Sequence, residues 1–61
     1  MIKKSELREI IQGAMQGTIN DLEHKNISLN FSADSRMGKI LESILHNIFK
    51  YLEAKDIKIE D

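Results

Sequence analysis

Two stretches of this sequence carry apolar residues at alternating spacings of three and four, and this pattern constrains the fold more than any other feature. Wound as helices over about 5–24 and 35–54, each stretch gives one continuous apolar stripe. Ser5 is a suitable N-cap for the first helix, and Asp34 or Ser35 for the second. Because the sequence contains no proline, neither helix is interrupted, and we predict a mainly α fold. The stripe residues are Leu7, Ile10, Ile11, Ala14, Met15, Thr18, Ile19 and Leu22, followed by Met37, Ile40, Leu41, Ile44, Leu45, Ile48, Phe49 and Leu52.

The two stripes have the same spacing, which predicts how the helices pack. Each stripe residue of the first helix has an apolar counterpart thirty positions later, as in Leu7 and Met37. We interpret this as shared amphipathic patterning and not as an internal repeat, because the polar positions differ. In an antiparallel helical hairpin whose stripes face each other, counterpart residues lie on the same side of the pair. One side carries the candidate ligand-binding or partner-binding residues, which are Gly13, Gly17, Ser43, Asn47, Lys50 and Tyr51.

Gly13 and Gly17 stand four residues apart inside the first helix, where each glycine costs about 1 kcal/mol relative to alanine. We expect the pair to permit the close approach of a second helix or of a partner, because small residues let backbones come together. The alternative is that both are tolerated surface glycines.

Between and after the helices, the period of the apolar residues changes to two. Apolar and polar residues alternate over 27–31 and again over 56–60, which predicts two short strands. If both strands form, the helix between them makes a parallel β-α-β unit with a right-handed crossover. The alternative is that both segments are extended coil packed against the hairpin. The apolar members are Ile27, Leu29, Phe31, Ile57 and Ile59.

The length of the chain bounds its stability. Its 61 residues form a single small domain, 1–61, and a chain of this size buries only about 60% of its unfolded surface. Such domains usually need a disulfide, a metal or a partner chain. The sequence has no cysteine, and His24 and His46 do not stand at a metal-ligand spacing. We therefore expect no metal site and no cofactor, and we expect a homodimer.

Charge and hydropathy narrow the classes of partner. The 9 Lys and Arg residues nearly balance the 10 Asp and Glu residues, which leaves a formal net charge of −1 without charge blocks. Such a chain lacks the basic surface that attracts nucleic acid. No stretch approaches the roughly 20 apolar residues that span a bilayer. We expect a cytoplasmic protein that does not bind membranes.

Along the second helix, Arg36 and Met37 are followed by two apolar pairs, then by Asn47, and then by Lys50 with Tyr51. This order resembles the N-box region of the ATP-binding domain of sensor histidine kinases, which consists of a strand, a helix and a strand. The resemblance implies that Asn47 helps to hold magnesium against nucleotide phosphates and that Lys50 and Tyr51 lie near the phosphate and the base. An amide oxygen suits a hard cation, and an ammonium group suits phosphate.

The sequence also departs from that family. Ser43 stands where the family has its first asparagine, and Ile48 stands where it has a small residue. The glycine-containing boxes and the lid of the domain are not in this sequence. We therefore expect no kinase or ATPase activity from this chain.

Three functions of different classes are open. We expect first a non-enzymatic interaction or regulatory protein that binds and modulates a larger protein partner through a helical-hairpin surface. The resemblance makes a kinase or a related ATPase a natural partner. The alternatives are a remnant nucleotide-binding module that takes ATP and magnesium, and a small dimeric nucleic-acid-binding regulator. We do not expect an enzyme, because the sequence shows no nucleophile with a base, no phosphate-binding glycine loop and no zinc pattern.

Overall fold

The computed structural model describes residues 2–60 and confirms a mainly α fold with two helices and two short strands. In chain order the elements are β1 (Ile2–Lys3), α1 (Lys4–Glu23), α2 (Arg36–Ala54) and β2 (Ile59–Glu60). The helix bounds agree with the predicted 5–24 and 35–54 to within one residue. Residues 24–35, which we call the connecting segment, join the two helices.

The ends of α1 differ in part from the prediction. The helix begins at Lys4, with Lys3 in the N-cap position and no side-chain cap, so Ser5 lies inside the first turn. After its last residue, His24 adopts a left-handed backbone conformation with φ of 56°. The His24 amide donates to the Asn20 carbonyl, and the left-handed turn lets the Lys25 amide donate to the same oxygen at 3.2 Å, which closes the helix.

Ser35 caps α2 as predicted, and it also anchors the connecting segment. Its Oγ accepts a hydrogen bond from the Gly38 amide at 3.0 Å. The same hydroxyl shares its one proton between the carbonyl oxygens of Asn30 and Ser32, each 2.7 Å away. One side chain therefore starts the helix and holds the loop that leads into it.

The helices form the predicted antiparallel hairpin. Near the start of α1, Arg8 forms an ion pair with Glu42 of α2 at 3.0 Å. One turn earlier, the Lys4 ammonium lies 5.5 Å from the ring centre of Phe49. Residue numbers that rise along α1 therefore fall along α2, as an antiparallel pair requires.

The apolar core of the hairpin is small and belongs to α2. Leu41 and Leu45, one turn apart, are the buried hydrophobic residues of the described chain, with 0% and 3% of their surface exposed. Within residues 2–60, α1 contributes no buried residue. A core of this size leaves most of both stripes half-buried or exposed.

The two strands pair in parallel, but the first one is not where the sequence predicted it. β1 pairs with β2, with Ile2 opposite Ile59. The strand predicted over 56–60 therefore forms at its end. The strand predicted over 27–31 does not form, because this stretch lies in the connecting segment without a strand partner. Consequently, the two strands do not flank α2 in a β-α-β unit. Instead, β1 precedes α1 and β2 follows α2, so both helices lie between the paired strands in the sequence.

Side-chain amides of α1 take the place of a neighbouring strand beside 27–31. Gln16 Oε1 accepts from the Leu29 amide at 3.1 Å, and Gln16 Nε2 donates to the Ile27 carbonyl. Asn20 Oδ1 accepts from the Ile27 amide at 2.8 Å. The segment therefore satisfies its backbone on a helix, and its residues alternate between half-buried and exposed without joining a sheet.

Candidate interaction face

The six predicted site residues all lie on the exposed surface, and the structure does not bring them into one pocket. Gly13 lines a groove with Leu29 and Phe31 of the connecting segment. Lys50 lines a separate shallow depression with Glu53. The remaining four are exposed positions of α1 or α2, namely Gly17, Ser43, Asn47 and Tyr51.

Gly13 and Gly17 do not serve the packing of α1 against α2. A Cβ atom placed on either glycine would meet no atom of the described chain within 4 Å, apart from its own helix turn. The expectation that they permit the approach of the second helix of this chain is therefore wrong. Their other expected use, the approach of a partner, stays a prediction.

The glycine that does serve close packing is Gly38, which sequence reasoning did not single out. A Cβ atom here would stand 1.9 Å from the carbonyl oxygen of Ser32 and 3.0 Å from that of Phe31. Gly38 therefore lets the connecting segment cross the first turn of α2. The signal in the sequence is a glycine in the helix turn after the Ser35 cap, where alanine would be the better helix former.

One side of the hairpin carries an uncovered apolar surface, which we call the open face. Its residues recur at helical spacing along each helix, so they form one stripe on α1 and one on α2. The stripes lie on the same side because each lies away from the connecting segment, which is held by Gln16 on α1 and crosses Gly38 on α2. The exposed fraction is 65% for Ile10, 40% for Ile40 and 62% for Tyr51. The open face consists of Ile10, Ala14 and Gly17 on α1 and Ile40, Ile44, Asn47 and Tyr51 on α2.

The connecting segment covers the opposite side of the hairpin. Gln16, which holds this segment, lies about 120° around α1 from Ile10 at about 100° per residue. Gly38, which the segment crosses, lies about 160° around α2 from Ile40. The connecting segment therefore covers one broad side of the hairpin and leaves the open face exposed.

Charged residues of opposite sign continue the two stripes of the open face. On α1, Glu6 and Asp21 stand at the two ends of the stripe, and both are exposed. On the α2 side, exposed Arg36 and Lys55 stand at the corresponding ends. The Lys55 ammonium lies 5.6 Å from the ring centre of Tyr51. The open face therefore has an acidic α1 edge and a basic α2 edge.

The sequence indicates the open face because each apolar stripe is wider than one neighbouring helix can cover. Each stripe has adjacent apolar residues in successive turns, such as Ile10 beside Ile11 and Ile40 beside Leu41. A single neighbouring helix covers one member of each pair: Leu41 is buried and Ile11 is half-buried, whereas Ile10 and Ile40 are exposed. Taken as one surface, each stripe predicts that all of its residues face the other helix, and for Ile10 and Ile40 this prediction is wrong.

The described residues show neither a metal site nor a membrane-spanning helix. Within residues 2–60, no three His, Cys, Asp or Glu residues are close enough together to hold a metal ion. In the same range, neither helix combines the length and apolarity that crossing a membrane requires. No family model matches this sequence, and comparisons with curated proteins and with solved structures found no match. The geometry of the open face is therefore the basis for a functional proposal.

Proposed function

We propose that this chain is a non-enzymatic interaction protein that binds a larger protein partner through the open face. The observation that carries the proposal is the exposure of Ile10, Ile40 and Tyr51 on one side of the hairpin. Burying one large apolar side chain contributes about 1.5–3 kcal/mol, so a partner that covers several of them gains substantial stability. Tyrosine is also among the residues enriched at protein interfaces.

The character of the open face favours a protein partner over the other classes of ligand. Its centre is uncharged and mainly apolar and its edges carry both signs of charge, so it offers no continuous basic surface for a phosphate backbone. Small-molecule sites are concave and bury most of their ligand. The open face is instead a surface across two helices, which suits the apolar stripe of another helix.

The resemblance to the histidine kinase N-box region suggests which larger partner to test first. A protein that resembles one segment of an ATP-binding domain can compete with that segment for its neighbours. We therefore name the ATP-binding domain of a sensor histidine kinase as the first candidate. Modulation would follow from masking a surface that the kinase needs.

Site-specific photo-crosslinking tests the proposal. A photoreactive amino acid in place of Ala14 is expected to crosslink a purified kinase ATP-binding domain. Ile40→Lys is expected to abolish the product, because it buries an unpaired charge in the interface. His46→Lys is the matched control, since it adds the same charge to an exposed position of α2 about 120° from Ile40. Equal crosslinking by both variants, or none by the wild-type chain, would contradict the proposal for this partner.

An amide NMR titration with magnesium and ATP distinguishes the proposal from the nucleotide-binding alternative. We expect a well-dispersed spectrum that does not change. Shifts confined to Ser43, Asn47, Lys50 and Tyr51, and lost in Asn47→Ala, would favour a remnant nucleotide site instead. Asn47 is exposed on α2, so this substitution tests binding without opening the core.

A further inference from the structure

We infer that, in the absence of a larger partner, the open face is covered by a second copy of this chain in a closed two-fold dimer. The inference rests on the proposed function in one respect, because it uses the same face. It goes further by naming an occupant and by giving that occupant a geometry. A larger partner would then compete with self-association.

The exposed area of the chain is the first argument. The chain exposes 4803 Å² of accessible surface. On the usual scaling of surface with mass, a monomeric protein of 7.0 kDa exposes about 4,000 Å². The excess of about 800 Å² equals the area that each partner buries in a protein interface of standard size. One further copy of the chain is therefore enough to cover it.

The shape of the chain is the second argument. Its radius of gyration is 12.9 Å, whereas a compact domain of this length has about 10.5 Å. Its extents are 39 × 23 × 16 Å, and the smallest of them holds one layer of helices. Domains are built from at least two packed layers around a core. A second copy supplies the second layer and completes a four-helix bundle.

The position of the connecting segment explains why the assembly closes at two copies. This segment covers the side of the hairpin that carries Gln16 and Gly38. The open face is therefore the broad apolar side that remains. An isologous contact lays the same surface of both copies together, so the open face is fully used within the pair and is not available to a third copy.

Charge and shape are complementary when the two-fold axis runs parallel to the helices. In this arrangement, α1 of one copy lies antiparallel to α2 of the other copy. Asp21, near the end of α1, then faces Arg36 at the start of the opposing α2. Glu6, near the start of α1, is level with the 42–49 stretch of the opposing α2, because Lys4 and Arg8 on either side of it are level with Phe49 and Glu42. The charge complementarity of this arrangement therefore lies at the end that carries Asp21 and Arg36.

The same arrangement gives Gly17 a use. The α1 half of the open face is built from small residues, Ala14 and Gly17, whereas the α2 half carries Ile40 and Tyr51. Ile40 of one copy thus packs over Ala14 and Gly17 of the other. The space around Gly17 is empty in the single chain, as this packing requires.

Sedimentation equilibrium of the purified chain over a wide concentration range tests the inference. The wild-type chain and His46→Lys are expected to reach twice 7.0 kDa, and Ile40→Lys is expected to remain at 7.0 kDa. A wild-type mass of 7.0 kDa throughout would overturn the inference, and so would a dimer that persists in Ile40→Lys or a mass that keeps growing beyond the dimer. None of these outcomes decides the proposed function, which the crosslinking experiment tests separately.

A charge exchange keeps the test informative if Ile40→Lys is poorly folded. Asp21→Lys and Arg36→Glu place each charge at the helix end that favours it, so both leave the single chain folded. Asp21→Lys alone is expected to raise the dimer dissociation constant about tenfold, because each dimer loses two ion pairs. The double variant, which combines Asp21→Lys with Arg36→Glu, is expected to restore the wild-type dissociation constant. Failure of the second substitution to rescue would overturn the proposed pairing of α1 with the opposing α2.

Discussion

At the residue scale, Gly38 lets the connecting segment cross α2 because it has a hydrogen atom where other residues have a side chain. Gly38→Ala would place a methyl group 1.9 Å from the backbone carbonyl oxygen of Ser32, which cannot move without breaking its bond to Ser35. We expect this substitution to lower the free energy of unfolding by about 2 kcal/mol, because overpacking outweighs the gain in helix propensity. Urea denaturation followed by circular dichroism measures it. An unchanged or raised midpoint would show that the connecting segment lies elsewhere.

The same substitution is expected to have the opposite sign at Gly13. A Cβ atom there meets nothing within 4 Å, so Gly13→Ala removes backbone freedom from the unfolded chain without a clash. We expect the free energy of unfolding to rise by about 1 kcal/mol. The urea midpoint of this variant should therefore lie above that of the wild type. A lower midpoint would mean that an atom of a partner chain occupies this position.

At the element scale, the connecting segment depends on the amide of Gln16. Gln16→Glu keeps the acceptor for the Leu29 amide but removes the donor to the Ile27 carbonyl and places a negative charge beside that oxygen. We expect a loss of about 1–3 kcal/mol in the stability of this contact. Hydrogen exchange at the Ile27 and Leu29 amides should accelerate accordingly. Gln12→Glu, one turn away in the same groove, is the control and should leave both exchange rates unchanged.

The helices could be predicted from the sequence because their periodicity extends over five turns, whereas the strands could not be placed. An alternation of apolar and polar residues reports which side of a chain is buried, and 27–31 does alternate in burial. It does not report what pairs with the backbone, and here Gln16 and Asn20 do so. β1 has two residues, Ile2–Lys3, which is too short to show any period. Its pairing with β2 follows from the antiparallel hairpin, which brings the two ends of the described chain together.

The candidate site was predicted in part for the same reason. The side of the hairpin that carries Gly17, Asn47 and Tyr51 was identified from the matched spacing of the helices. The stripes also predict Ile10 and Ile40 as core residues, and this prediction is wrong, because both are exposed on that side. Distinguishing them requires the angle at which two helices meet, and a list of apolar positions does not contain that angle.

At the scale of the whole molecule, folding and pairing are expected to be coupled. Because the core is centred on Leu41 and Leu45 alone, we expect a single layer to have little stability of its own and the fold to persist on heating only when the open face is covered. Unfolding of a dimer releases two chains, and its midpoint then rises with concentration. At about 0.7 kcal/mol per residue, two chains of 61 residues unfold with an enthalpy of about 85 kcal/mol.

This enthalpy determines how strongly the thermal midpoint depends on protein concentration. A tenfold rise in protein concentration should raise the thermal midpoint by about 6 °C, because the unfolding equilibrium of a dimer shifts by about 1.4 kcal/mol per decade. Calorimetry over two decades of concentration is the measurement. Ile40→Lys, which removes the open face from pairing, should melt at a lower temperature that does not depend on concentration. A wild-type midpoint that is equally independent of concentration would mean that the hairpin is stable as a single layer, and the open face would then be free for a larger partner at all times.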